Sequence, residues 1–398
     1  MTRRPARGRA TSWAEHDGRW RAPAQIVGLW ESAATVDPRV LRHTVVGPWW
    51  DLIAEMGITL LVTREYEHLA LAMCARAGRP LVSYLALPHP SGIAVDGHRV
   101  FVASTRNPNQ VITMRPFEGP DDVGGRGGDS LTRTLAPVRA DFLPGGLYLH
   151  DLALVGGALH GNAVGQNAVV RIGGDGSCRR VWWPRSIETP RGPLFGPNHL
   201  QLNSIAAGRT LAGSFFSASA ERPLRLRPGH RTFPVDGRGV IFSGRTREPV
   251  CRGLTRPHSA RLHAGTLWVA NSGYGEIGVA SGGRFTAVQR LPGWTRGVCV
   301  VDRPRAVAFV GTSRVIPRFR QYAPGLDVDR SACGVHAIDL ATGRTLAALT
   351  WPEGNQTFAI DWMPSVRSAG FPFRAGRRPA ERRMRSFFSA LRPASEEE

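Results

Sequence analysis

Six short segments of the chain each begin with a pair of residues whose types could do chemistry. The first positions of these pairs hold, in chain order, Ser91, His150, Asn203, His258, Arg296 and Phe358. The second positions are small or acidic and hold Gly92, Asp151, Ser204, Ser259, Gly297 and Ala359. Imidazole nitrogens and amide oxygens are metal ligands, and a guanidinium can bind a carboxylate or phosphate through two parallel hydrogen bonds.

Two kinds of catalysis are compatible with the first-position residues. His150, Asn203 and His258 could hold a divalent metal ion that polarises a carbonyl or activates water. Without a metal, the two histidines could act as general acid and base, because the ordinary imidazole pKa lies near neutrality. In either case Arg296 would bind an anionic group of the substrate.

The segments that carry these pairs share one pattern, which predicts their structure. Each pair opens a short apolar strand, which a glycine or aspartate turn joins to a second strand, as in SGIAVDGHRVFVAST (91–105) and HSARLHAGTLWVANS (258–272). Two further short strands usually follow, and helical periodicity is weak throughout. Four antiparallel strands per repeat are typical of a β-propeller blade.

The two ends of the repeat region indicate how the ring closes. TFAIDWMP (357–364) predicts one inner strand without partners, and residues 58–88 predict three strands that lack an inner one. We therefore predict an all-β, six-bladed β-propeller over residues 51–364, closed by pairing of the N- and C-terminal strands.

Residues outside the ring are predicted to form two extensions. Residues 1–50 form an N-terminal extension that packs partly on the ring through Trp30, Trp49 and Trp50. Residues 365–398 form a basic C-terminal tail, which is either disordered or a short amphipathic helix over 381–392.

Five motifs, in this order, resemble an uncharacterised bacterial family, a domain of unknown function: HDLAL, LNSIA, RPHSARLHAGTLWVANSGYGE, LPGWTRGV and CGVHAIDLATG. The resemblance covers roughly residues 58–364. VTREYEH (62–68) and residues 214–240 depart from the pattern. The resemblance implies the propeller fold and carries no assigned activity.

The predicted loops differ between the two faces of the propeller. Loops between first and second strands are plain turns, whereas the opposite face receives the polar second-to-third loops and the starts of the inner strands. NSGYGE (271–276) is the most suggestive of these loops, because Gly273 and Gly275 allow a tight turn. We expect it to present Asn271 and Tyr274 to a ligand and Glu276 as a candidate catalytic carboxylate.

Alternation along a strand leaves the exact lining residues open. Successive side chains face opposite ways, so only one position of each pair should line the channel at a given level. We expect the first position, but a shift of one residue would substitute Asp151 and two serines. The alternative is a purely structural role, in which the polar side chains of the pairs form hydrogen bonds with backbone groups between blades.

Composition excludes several function classes. All 51 basic residues are arginine and the formal charge is +20, so lysine Schiff-base and P-loop chemistry are excluded. The charge is spread thinly and predicts no specific nucleic-acid binding. Five scattered cysteines predict neither disulfides nor a zinc site. No run of about 20 apolar residues predicts a transmembrane segment, and we expect a cytoplasmic monomer.

Besides a scaffold that binds polyanions through surface arginines, two functional hypotheses follow from the sequence. The first is a propeller of unknown function that binds a small polar or anionic molecule, or a peptide segment, at the channel mouth. The alternative is a metal-assisted lyase or hydrolase that uses His150, Asn203 and His258.

Overall fold

A computed structural model describes residues 35–376, apart from 77, 107–108 and 121–130, together with 392–393. Ahead of the ring it has strand β1 (Thr44–Val46) and helix α1 (Trp49–Glu55). Short 3-10 turns occur at Pro38–Leu41, Val164–Gln166, Arg185–Ile187, Leu211–Gly213, Ser272–Tyr274 and Pro317–Tyr322.

Six antiparallel sheets form the blades, each built mainly from strands that are consecutive in the chain. Blade 1 contains β2 (Ile58–Arg64), β3 (Leu69–Arg76) and β4 (Arg79–Ala86). Blade 2 contains β5 (Pro90–Asp96), β6 (Arg99–Ser104), β7 (Asn109–Pro120) and β8 (Leu131–Leu143). Blade 3 contains β9 (Leu149–Val155), β10 (Ala158–Ala163), β11 (Ala168–Ile172) and β12 (Cys178–Trp182).

The remaining blades follow the same order. Blade 4 contains β13 (Leu202–Ala206), β14 (Phe215–Ala218), β15 (Gly239–Ser243) and β16 (Pro249–Leu254). Blade 5 contains β17 (Pro257–His263), β18 (Thr266–Asn271), β19 (Glu276–Ser281) and β20 (Arg284–Arg290). Blade 6 contains β21 (Trp294–Val301), β22 (Val307–Ser313), β23 (Gly334–Asp339) and β24 (Thr345–Thr350). The chain ends with β25 (Ala359–Pro364), β26 (Phe373–Arg374) and β27 (Arg392–Pro393).

Blade 1 is completed from the far end of the chain. Strand β25 pairs antiparallel with β2, with Leu61 opposite Asp361 and Thr63 opposite Ala359. The inner strands β25, β5, β9, β13, β17 and β21 each contact the next one around the ring, and β21 contacts β25 again. The prediction of a six-bladed propeller closed by its terminal strands is therefore confirmed.

A β-bulge lies at the residue pair of every inner strand except β25. Ser91 and Gly92 together oppose one residue of β6, His150 and Asp151 oppose one residue of β10, and Arg296 and Gly297 oppose one residue of β22. Strands β13 and β17 shift register in the same region. A bulge interrupts the alternation of side chains. Alternation by itself therefore does not decide which position of a pair lines the channel.

Second-position side chains tie three of the six inner strands to the following blade, because Gly92, Gly297 and Ala359 carry no polar side chain. Asp151 Oδ2 accepts the backbone N–H of Ile205 at 3.0 Å. Ser204 Oγ accepts the N–H of Ala260 at 2.8 Å, and Ser259 Oγ accepts the N–H of Gly297 at 2.8 Å. These bonds satisfy backbone groups that the bulges leave unpaired, because the ladder is interrupted at these positions.

Thr63 makes the corresponding link at the closure. Its Oγ1 donates to the carbonyl of Ser91 at 2.5 Å and accepts the N–H of Ala359 at 3.1 Å. One side chain thus joins the first strand of the ring, its last strand and blade 2.

Both described extensions pack on the ring. Trp49 is fully buried with its ring 5.9 Å from that of Phe309, and β1 adds a fifth strand to blade 6 beside β24. Phe371 and Phe373 are also buried, and β26 pairs with β4. The expectation of a free tail from residue 365 is therefore wrong for residues 365–376, because these aromatic side chains cover blade 1. Trp30 and the predicted helix up to residue 391 lie outside the described residues.

Two further sequence observations can be compared with the described residues. None of their helices is long and apolar enough to cross a membrane. All five cysteines are free thiols, and only Cys178 is partly exposed.

Substitution of Gly297 tests the close packing of inner strands. Gly297 has φ +81°, and an added Cβ would lie 2.9 Å from the Ile360 side chain. Gly253 has the same φ, with no atom within 4 Å of an added Cβ. We expect Gly253→Ala to lower the free energy of unfolding by about 1 kcal/mol through backbone strain. Gly297→Ala should cost about 1–3 kcal/mol more, because overpacking adds to the strain.

Urea unfolding of both variants measures this difference. Equal losses would show that the inner strands of blades 6 and 1 are not in tight contact at this position.

Candidate functional site

A cavity of about 910 Å³ opens at one end of the channel axis. Its lining comes from the starts of inner strands and from second-to-third loops, the two sets of elements that the sequence places on one face. Four of the first-position residues line it, namely His150, His258, Arg296 and Phe358. We call these four residues the floor of the cavity.

The other two first-position residues bond to the scaffold. The hydroxyl of Ser91 donates to the carbonyl of Leu149 at 2.8 Å. The Nδ2 of Asn203 donates to Ser219 Oγ at 3.1 Å and to the carbonyl of Pro257 at 3.0 Å. Because a carbonyl only accepts, this contact fixes the orientation of the amide. The Oδ1 of Asn203 is buried and has no hydrogen-bond partner among the described residues.

Arg296 places a positive charge on the floor. Its side chain lies over Phe358, with Cζ 3.2 Å from the ring centroid, and the residue is only 9% exposed. Burial lowers the pKa of Arg296 to about 9, which leaves the guanidinium charged at neutral pH. No hydrogen bond or ion pair of this guanidinium is formed within the described chain. Its N–H groups are therefore available to a ligand in the cavity.

Arg256 places a second cation beside the first, just ahead of β17. It is 5% exposed, donates to Gln201 Oε1 and to the carbonyl of Pro228, and lies over the ring of Tyr322. Burial lowers the pKa of Arg256 to about 10. Its hydrogen-bond partners are neutral, and neither guanidinium forms an ion pair with a carboxylate of the described residues, although the charge of Glu65 acts to raise the pKa of Arg296.

The imidazole of His258 is held in one tautomer. Its Nδ1 lies 2.8 Å from the carbonyl oxygen of Arg256, which can only accept, so Nδ1 carries the proton. Nδ1 also lies 3.0 Å from Ser272 Oγ, whose own proton goes to the carbonyl of Thr295 at 2.6 Å. Nε2 therefore carries a lone pair. Burial, followed by the charge of Arg296, holds the pKa of His258 well below its usual value, so the ring is neutral near pH 7.

His150 is neutral for the same two reasons. Burial and then Arg296 hold the pKa of His150 well below its usual value, while the side chain of Asn203 acts in the opposite direction. Its ring meets that of Phe358 edge-on, with centroids 5.5 Å apart, and its Nδ1 is buried without a hydrogen-bond partner among the described residues.

Glu65 supplies the only carboxylate among the cavity-lining residues that the structure describes. It is 3% exposed, and its Oε1 bonds His89 Nδ1 at 3.0 Å and Arg106 Nε at 3.3 Å. Glu65 is absent from the site residues predicted from the sequence, although the charged loop REYEH (64–68), which departs from the family pattern, was the available signal.

Two long loops form a roof over the cavity, and the sequence did not indicate it. Residues 219–238 connect β14 to β15, and residues 314–333 connect β22 to β23. They bury Phe233 and Val235 of the first loop against Val315 and Tyr322 of the second. Arg318, also on the second loop, donates to the hydroxyl of Tyr66 in blade 1. The roof thereby reaches across the ring.

The loop residues predicted to face a ligand have other partners. Asn271 accepts the N–H of Thr255 at 2.7 Å and donates to Glu276 Oε2 at 2.9 Å. The hydroxyl of Tyr274 donates to Asp236 at 3.1 Å. Asn271, Tyr274 and Glu276 lie outside the cavity lining, because they brace the loops that surround it.

Asp151 is likewise engaged elsewhere. Its two carboxylate oxygens bind the guanidinium of Arg261 at 2.8 and 3.1 Å, in addition to the backbone N–H of Ile205. Asp151 therefore cross-links inner strands of blades 3, 4 and 5 and is not part of the floor.

The floor fits an anion better than a divalent cation. His150, Asn203 and His258 have suitable donor types, but the charge of Arg296 acts on both imidazoles and that of Arg256 acts strongly on His258. Within the described residues, no group of three or more His, Cys, Asp and Glu side chains could hold a metal ion. A divalent cation at the floor would face uncompensated positive charge.

Replacement of Arg296 should make the protein more stable. A buried guanidinium without a counter-ion is costly, whereas methionine can fill similar space and pack on Phe358. We expect Arg296→Met to raise the free energy of unfolding by about 1–2 kcal/mol in urea titrations. The exposed Arg284→Met, with the same charge change, should alter it by no more than about 0.5 kcal/mol. A loss of stability in Arg296→Met would mean that the guanidinium serves the fold.

The family of the chain follows from a direct match. The family model described as a domain of unknown function (DUF4915) matches residues 48–371, so the chain belongs to that family. A search of curated proteins finds no match.

Solved structures show the same kind of fold at low sequence identity. A nidogen/laminin complex structure has 10% identity and a TM-score of 0.50, covering 77% of this chain and 98% of that one. A putative gluconolactonase has 16% identity and a TM-score of 0.44, covering 76% and 89%. A PQQ-bound aldose sugar dehydrogenase from Streptomyces coelicolor has 16% identity and a TM-score of 0.40, covering 81% and 99%. At these identities the likeness concerns the fold alone.

Proposed function

We propose that this member of the family binds a small molecule through an anionic group at the floor of the cavity. The observation that carries the proposal is Arg296, a buried guanidinium that has no acceptor in the described chain and is open to the cavity. A buried charge is expensive unless it is paired. A ligand anion would supply the missing partner.

The charge of the lining supports an anion over a cation or a neutral molecule. Seven arginines of the described residues line the cavity, against the single carboxylate of Glu65, and they are Arg106, Arg231, Arg256, Arg296, Arg314, Arg318 and Arg320. A cleft lined by one sign of charge raises the local concentration of counter-charged ligands.

The shape of the cavity favours a small molecule over a peptide segment. Its volume of about 910 Å³ lies within the range of small-molecule sites. Residues of the two roof loops, 219–238 and 314–333, form part of its wall, whereas an extended peptide would need a continuous open groove.

Binding of a six-carbon sugar acid provides the first test. D-galactonate carries a carboxylate, whereas galactitol has the same carbon chain and no charge. We expect isothermal titration calorimetry to detect galactonate and not galactitol. Arg296→Met should weaken galactonate binding at least about 30-fold, because it removes the bidentate partner of the carboxylate.

Arg284→Met is the matched control, since it removes an exposed arginine outside the cavity. It should leave the affinity within about twofold, a change explained by net charge alone. Equal affinities for galactonate and galactitol, or equal effects of the two substitutions, would refute anion binding at Arg296.

A metal-assisted lyase or hydrolase is the second candidate function, and the fixed neutral imidazole of His258 favours catalysis of some kind. Its free Nε2 could accept a proton from a bound substrate. Elemental analysis of the purified protein separates the two functions. The positive floor leads us to expect no stoichiometric divalent metal. A bound metal that is lost in the His150→Ala/His258→Ala variant would favour the enzyme.

A bacterial origin, a cytoplasmic location and a monomeric state remain predictions from the sequence. The proposal requires neither a nucleic acid nor a protein partner.

A further inference from the structure

The floor offers a ligand two kinds of hydrogen-bonding group at once. Arg296 can only donate, and His258 presents the lone pair of Nε2, which can only accept. Building on the proposed anion site, we infer that the ligand is a hydroxycarboxylate, whose carboxylate pairs with Arg296 and whose hydroxyl donates to His258 Nε2.

The acceptor character of His258 is imposed by its surroundings. The carbonyl of Arg256 takes the Nδ1 proton, and the hydroxyl of Ser272 cannot offer a proton because Thr295 O holds it at 2.6 Å. The ring therefore cannot exchange tautomers without leaving a buried N–H or carbonyl unpaired, which is costly. His258 is 3% exposed, so water cannot readily repair such a loss.

The two groups lie close enough to be used by one small ligand. They start the inner strands of neighbouring blades, β17 and β21, and both line the same floor. After burial, the charge of Arg296 is the largest cause of the lowered pKa of His258. A single ligand that reaches both residues could accept hydrogen bonds from Arg296 and donate one to Nε2 of His258.

The acceptor discriminates between classes of anion. A carboxylate or phosphate oxygen placed at Nε2 would bring two lone pairs together, so an anion without a hydroxyl leaves Nε2 unmatched. Sites that hydrogen-bond a ligand hydroxyl reject analogues that lack it, because the buried polar group of the protein loses its partner.

A carboxylate, with its single charge, matches the one floor guanidinium that has no hydrogen-bond partner among the described residues. Arg296 is a single free guanidinium stacked on Phe358, with its fork of N–H groups as the contact surface. The planar fork matches the two oxygens of a carboxylate. Arg256 already donates to Gln201 and Pro228, so it contributes charge more than additional hydrogen bonds.

Calorimetry with three six-carbon probes tests the inference on the full chain. D-galactonate has both groups, hexanoate has only the carboxylate, and galactitol has only the hydroxyls. We expect wild-type protein to bind galactonate at least about tenfold more tightly than hexanoate, and to bind galactitol no better than hexanoate.

Variants of His258 test whether its Nε2 acceptor causes the preference for galactonate over hexanoate. His258→Phe should reduce the preference for galactonate over hexanoate to within about twofold, and His258→Gln, which keeps a side-chain oxygen, should retain part of it. His263→Phe removes another histidine of β17 that lies outside the cavity, and it should leave the preference unchanged.

The outcomes separate this inference from the proposed function. If galactonate and hexanoate bind equally and both weaken in Arg296→Met, the anion site stands and the hydroxycarboxylate inference is overturned. A preference that persists in His258→Phe also overturns it. If neither acid binds, or Arg296→Met has no effect on either, the proposed function itself fails. The probe comparison on wild-type protein needs no variant and decides the matter even if the His258 variants do not fold.

Discussion

The ring depends on hydrogen bonds that cross blade boundaries, three of which run from the second residue of a pair to the backbone of the next inner strand. Asp151, Ser204 and Ser259 each accept an N–H group across a blade boundary, and Thr63 makes the equivalent link where the chain ends meet. The bulges make these bonds possible, because they turn the second residue of the pair towards the following blade. The first residue of four pairs lines the cavity, whereas Ser91 and Asn203 bond to the scaffold. Adjacent residues of a pair can therefore serve the scaffold and the floor of the cavity separately.

The floor concentrates charge that the fold itself does not need. Arg256 and Arg296 are buried without a carboxylate partner, and each depresses the pKa of His258. Natural proteins retain costly features of this kind mainly at functional sites. The same charges that keep the imidazoles neutral attract an anion, so the acceptor at His258 and the donor at Arg296 belong to one electrostatic arrangement. A ligand with only a carboxylate would pair with Arg296 and leave His258 without a donor, and a ligand with only a hydroxyl would do the reverse.

Family and fold leave the chemistry open. The matching family model is described as a domain of unknown function, and the nidogen/laminin structure shares only 10% identity with this chain. A propeller is a rigid support on which loops vary, and unrelated activities use it. The roof over this cavity includes residues 219–238, which lie wholly within the stretch that departs from the family pattern.

The sequence by itself determined the number of blades, their strands and the closure, because each blade is a local hairpin pattern and the unmatched strands at the two ends have only each other as partners. It also placed His150, His258, Arg296 and Phe358 at equivalent positions. Only the tertiary structure decided which residues surround the cavity. Glu65, Arg256 and the roof loops reach it through contacts between different blades. Asn271, Tyr274, Glu276 and Asp151 do not line it, because each bonds to other residues that their spacing in the sequence does not reveal. Hydrogen-bond partners and burial depend on three-dimensional neighbours, whereas a repeat pattern records only neighbours along the chain.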